Sequence, residues 1–153
     1  MKVYDIVLAS ALAVIPIGDR LYDAAYDNRI EVVTDEGTFC FDFRKGFTSN
    51  YRSGGALVDK FIDQVVSEKV GPIWWFHDLC YTPCAALGME HPVSRKLADE
   101  LLRAALIWAG MPKWKATVVY YAVRAFGESA YNDDDALTSS NSKLFTFEWK
   151  AAA

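Results

Sequence analysis

His77 is one of two histidines in the chain and stands in an aromatic run, Trp74-Trp75-Phe76-His77-Asp78-Leu79-Cys80-Tyr81. An imidazole exchanges protons near neutral pH, and it becomes a directed base when an acceptor holds one of its two ring nitrogens. Asp99, in Arg95-Lys96-Leu97-Ala98-Asp99, is of the right type to be that acceptor. If Pro72 to Tyr81 is helical, a turn of about 100° per residue puts His77 and Tyr81 on one face and rotates Asp78 away from it. Antiparallel packing of the next helix lets Asp99 reach the His77 ring, and Tyr81 can bond the same carboxylate. The expected catalytic set is therefore His77 as base, Asp99 as its orienter and Tyr81 as support, with Asp78 on the rim of the same cleft.

The same residues also fit a satisfied His77–Asp99 pair inside a helical core, with no chemistry attached. A zinc site is the third option, since His77, Cys80, Cys84 and His91 are all suitable ligand types. Their order lacks a familiar zinc spacing, and Pro83 breaks the face that His77, Cys80 and Cys84 would share. Trp74, Trp75, Phe76, Trp108, Trp114, Tyr120 and Tyr121 read as core. Arg95 and Arg124 read as helix-surface or ion-pair residues, with an anionic head group as the alternative.

Positioning these side chains falls to a helical second half. Ser94 is suited to cap a helix from Arg95 to Ala109, Gly110 to end it, and Gly127 to stop a further helix over Lys113 to Phe126. Apolar spacing predicts another helix over Ala56 to Ser67. The first half is β-rich: Glu31–Thr34 and Thr38–Phe43 flank a turn at Asp35-Glu36-Gly37, and Phe39, Phe41 and Phe43 alternate onto one face that helices must cover. Lys45 to Gly55 is a Gly- and Ser-rich loop ending in Gly54-Gly55, able to present main-chain groups to a ligand. Asn132–Asp135 and Ser139–Ser142 read as a polar connector to a last strand in which Phe145, Phe147 and Trp149 alternate. The expected class is α+β, with an N-terminal antiparallel sheet on three to four helices. Residues 1–131 read as one globular domain, and residues 132–153 as connector plus C-terminal strand arm.

The chain has 153 residues, a net charge of −4 and an apolar fraction of 52%, enough for one domain with a real core and with no general pull toward nucleic acid. Three cysteines, Cys40, Cys80 and Cys84, are too few for a disulfide scaffold. Ile6 to Ile17 is apolar enough to suggest part of a signal peptide, but Asp5 sits in the would-be basic region and twelve residues are too short to span a bilayer, which takes about 20. It reads as a buried strand or helix of the core.

His77-Asp78-x-Cys80-Tyr81, with Asp99 22 residues beyond the histidine, resembles the helix pair of secreted and prokaryotic phospholipases A2. That resemblance implies a water-activating His77, a calcium-binding Asp78, and Asp99 and Tyr81 orienting the histidine. Gly54-Gly55 is then the candidate source of carbonyl ligands. A second resemblance covers more of the chain. Lys45-Gly46-Phe47, His77 to Tyr81, Ser94 to Asp99 and Ala122 to Gly127 follow the order of blocks in a family of small phage and prophage proteins. This chain has Ser49-Asn50 where that family usually carries Thr-Asp, so a site retained as scaffold is one expectation. The resemblance implies a virion-associated protein, structural or active in tail or capsid assembly, found in the virion or the host cytoplasm. Its partners would be other virion proteins and further copies of itself, with lipid contact. The competing expectation is a calcium-dependent ester hydrolase acting on a lipid or envelope component.

Overall fold

The computed structural model describes residues 1–19, 21–49 and 69–153. The architecture is α+β. Strands β1 (Val3–Leu8), β4 (Asn28–Thr34), β5 (Gly37–Phe43) and β7 (Phe145–Ala151) form an antiparallel sheet in the order β1-β4-β5-β7. A smaller sheet joins β2 (Val14–Gly18), β3 (Leu21–Ala24) and β6 (Thr48–Ser49) in the order β2-β3-β6. The helices among the described residues are α1 (Val70–Cys80), α2 (Arg95–Trp108), α3 (Lys113–Phe126), and the short α4 (Glu128–Tyr131) and α5 (Ala136–Ser142).

The expected β4–β5 hairpin forms because Thr34 closes the turn. Its hydroxyl takes the Glu36 and Gly37 N–H groups at 3.2 Å each and donates to the Gly37 carbonyl at 2.7 Å. Phe39, Phe41 and Phe43 point to one face and are buried with Ile30 and Val32 of β4. Helix α1 covers that face: Phe41 meets Phe76 at 6.4 Å between ring centroids, and Phe43 meets Trp75 at 5.6 Å. Burying each such side chain contributes roughly 1.5–3 kcal/mol. Every α1 residue except Gly71 is buried, so α1 is the central rod of the molecule, enclosed rather than amphipathic.

Helix α2 starts where Ser94 accepts the Leu97 N–H at 3.1 Å, a cap worth about 1 kcal/mol. It ends before Gly110, whose φ of 102° is open to glycine at little cost.

Two expectations need correction. Ile6 to Ile17 is not core: Val7, Ile15 and Ile17 are exposed, because β1 and β2 are the outer strands of their sheets and have one open face. The inner side chains Ile6, Leu8, Leu12 and Val14 instead line an apolar cavity of about 670 Å³ with Pro72 and Trp108. The polar connector contains α5, capped by Asp135, which accepts the Thr138 N–H at 2.8 Å; Asn141 and Ser142 in it are buried. The aromatic last strand forms as expected and docks on its own sheet. It pairs along β5 from Gly37↔Ala151 to Phe43↔Phe145, and Phe147 and Trp149 pack on Phe41 and Phe39 at 5.1 and 4.5 Å. An apolar strand edge left open would be costlier than this pairing. The expected helix over Ala56 to Ser67, and Gly54-Gly55, lie outside the described residues.

Candidate active site

Helix α1 places His77 and Tyr81 one turn apart facing α2, and α2 answers with Asp99. Nε2 of His77 lies 3.0 Å from Oδ1 of Asp99, and the Tyr81 hydroxyl donates to that same oxygen at 2.6 Å. The other oxygen, Oδ2, accepts from Nη1 of Arg124 on α3 at 3.0 Å and has Nη1 of Arg95 at 3.8 Å. Arg95 also donates to the Val123 and Arg124 carbonyls at 3.3 and 3.1 Å, tying the end of α3 to the start of α2. Of the two options for Arg95 and Arg124, ion pairing is the one realised.

Asp99 is wholly buried. Burial alone would push its carboxyl up, but the bonds and charge of His77, with the bonds from Tyr81 and Arg124, outweigh it and hold the group below the ordinary carboxylate range. Tyr81 is pushed up, by burial first and then by its bond to Asp99, so it stays a phenol and a donor. Burial lowers Arg124, but Asp99 more than offsets it.

An ionised carboxylate only accepts, so Nε2 of His77 donates to Asp99, and in the neutral form of the ring the lone pair is on Nδ1. That Nδ1 is buried with no hydrogen-bond partner among the described residues, as are Nε1 of Trp74 and of Trp75. His77 is 0% exposed; the Trp74 ring stands edge-on to it at 5.9 Å, and the Tyr81 ring is 4.4 Å away. Polar groups as deep as this are nearly always satisfied, so an unmet Nδ1 marks a position where a water or substrate proton would be welcome.

Asp78 faces elsewhere, as the helical rotation requires. Its carboxylate accepts from the hydroxyl of Ser49 at the end of β6, and its carbonyl accepts from Thr82 at 2.8 Å. Asp78 and Tyr81 line a polar cleft of about 80 Å³ with Thr48, Thr82, Asp133, Asp135, Thr138 and Asn141. That volume suits roughly two or three waters. His77 is not among the residues lining the cleft, so Tyr81 stands between it and this opening.

Calcium wants six to eight oxygen ligands. Among the described residues no three His, Cys, Asp or Glu side chains converge where they could hold a metal ion, despite the carboxylates around the cleft. The described donors thus do not make a calcium shell, and Gly54 and Gly55 lie outside them. The zinc set is not assembled either. Cys84 donates to the Phe145 carbonyl at 3.4 Å, and His91 stacks on Tyr131 at 3.7 Å and bonds its carbonyl at 2.7 Å. Burial, then the Asp99 and Asp78 charges, push the Cys80 thiol up and away from the thiolate that zinc needs.

Sequence reasoning missed Ser49 as the partner of Asp78, and missed Asn141. The Asn141 side chain brackets Thr48, accepting its N–H at 3.0 Å and donating to its carbonyl at 2.9 Å. No local signal marks such pairs, which lie far apart in the chain.

The fold and site define an α+β protein with a buried His–Asp pair carried on two packed helices. The chain belongs to the family described as "Protein of unknown function (DUF1353)", which matches residues 27–123, from β4 through His77 and Asp99 into α3. No curated protein and no solved structure matches it.

Proposed function

We propose that this protein is an ester hydrolase in which His77 is the general base, with a lipid or envelope ester as substrate. The observation carrying this reading is the contrast between the two nitrogens of His77: Nε2 is held by Asp99, while Nδ1 is buried with no partner among the described residues. In the step inferred, Nδ1 takes a proton from water as the water oxygen bonds to the ester carbonyl carbon and the C=O π pair moves onto the carbonyl oxygen, to return when the leaving group departs. The imidazolium so formed is stabilised by Asp99, and the proton then passes from Nδ1 to the departing alkoxide as the ester C–O bond breaks. Tyr81 keeps Asp99 aimed at Nε2.

The total burial of His77 favours a second reading, a virion-associated phage protein of tail or capsid in which the pair is core architecture. Fatty-acid release from mixed phospholipid vesicles separates the two. The assay compares wild type with His77→Ala and Asp99→Asn, in calcium and in chelator. Hydrolysis predicts release by wild type that both substitutions abolish. A well-folded wild type that releases nothing, with both variants losing thermal stability, overturns it in favour of the structural reading.

A further inference from the structure

Helix α3 is apolar on two sides. Ala116, Val119, Ala122 and Val123 are buried, as the inner face of a packed helix should be. Positions 114, 118, 121 and 125, at spacings of four, three and four, fall within about 60° of one another on the other side, since each residue turns the helix by about 100°. They are Trp114, Val118, Tyr121 and Ala125. Trp114 is 64% exposed and Tyr121 65%, with Phe126 at the helix end also 64% exposed. Three large aromatics standing in solvent on one helix are unusual for a surface with no partner.

The charge around this stripe identifies the partner. Lys113 and Lys115 are each about 100° from Trp114, one on either side of it, and the Lys115 ammonium lies 5.5 Å from the Trp114 ring centroid. Helix α3 has no acidic residue, in a chain carrying 20 acidic against 16 basic side chains. A Trp/Tyr stripe flanked by lysines suits the boundary between anionic head groups and acyl chains, where aromatic rings lie at head-group depth and lysines reach the phosphates. A second copy of the chain fits less well. Two α3 helices face to face in parallel bring Lys113 and Lys115 of each copy together with no acidic residue on the helix to pair them.

We propose that the Trp114–Tyr121 face of α3 docks this protein on an anionic phospholipid surface. This stands whether or not His77 is catalytic. The test is co-sedimentation with vesicles of mixed phosphatidylglycerol and phosphatidylcholine, and with phosphatidylcholine alone, at low and high salt. The proteins compared are wild type, Trp114→Ala/Tyr121→Ala and Lys113→Glu/Lys115→Glu. Wild type should prefer the anionic vesicles. Reversing two lysines should weaken binding roughly tenfold or more, and salt should weaken wild type in the same direction. Lys113, Trp114 and Tyr121 are exposed and Lys115 is half-buried, and unchanged thermal melting certifies the folding of each variant. The proposal is overturned if wild type binds neither vesicle, if both vesicles bind equally, or if the variants bind as wild type does. It is also overturned by a dimer, seen in sedimentation equilibrium, that Trp114→Ala/Tyr121→Ala dissolves while vesicle binding is absent.

Discussion

Gly127 has no room for a side chain because Tyr81 occupies it: a Cβ there would stand 2.7 Å from the Tyr81 hydroxyl oxygen and 2.6 Å from the Val123 carbonyl. The end of α3 thus closes directly over the phenol that supports Asp99. Gly127 has an ordinary φ of −86°, so the constraint is space and not backbone conformation. Gly127→Ala should displace Tyr81 from Asp99 and cost about 1–3 kcal/mol, as overpacking does, read as a lower midpoint in urea. An unchanged midpoint would mean that Tyr81 has another place to go.

Removing Asp99 should cost more than removing any one of its partners. Asp99→Ala leaves His77, Tyr81 and the guanidinium of Arg124 without their acceptor, and breaking a buried pair in this way costs about 3–5 kcal/mol. Tyr81→Phe removes one bond to a charged acceptor, about 2 kcal/mol. Chemical denaturation of both variants checks the ranking.

Stability should fall as pH drops below neutrality, through His91. Burial holds its pKa below the ordinary 6.5, the Tyr131 and Tyr81 backbone bonds opposing this only in part. The unfolded chain therefore takes up the proton first, and stability present above about pH 6.5 is lost as pH falls through the folded value. Melting temperature against pH should show this slope, and His91→Gln should flatten it. Asp99 works in the same direction at lower pH, below the ordinary carboxylate range near 4, because its folded pKa is also lowered.

Asn141→Ala should loosen the join between α5 and β6. It strips partners from both the N–H and the carbonyl of buried Thr48, at about 1–3 kcal/mol for each group left unsatisfied. Hydrogen exchange at the Thr48 amide should quicken while exchange in α1 holds. Equal acceleration in both would mean that α5 and the core unfold together.

The triad of His77, Tyr81 and Asp99 was legible because its geometry is local. One helical turn separates His77 from Tyr81, and a capped helix begins four residues before Asp99. The hairpin was legible for the same reason, its turn and its phenylalanine alternation lying within one short stretch. Arg124 was not assigned to Asp99, since a basic residue near a helix end looks alike whether it meets water or a buried carboxylate on another helix.

The chain's own pattern determined the β4–β5 hairpin and its buried phenylalanine face, the helices α1, α2 and α3, and where α2 begins and ends, because period and capping act over a few residues. Only the tertiary structure decided that the last strand closes onto β5, that Ser49 meets Asp78, and that Arg124 and Gly127 complete the surroundings of Asp99 and Tyr81. It also decided that Ile15, Ile17 and the outer stripe of α3 face outward. Strand order and helix packing set those contacts, between residues whose separation in the chain carries no trace of their separation in space.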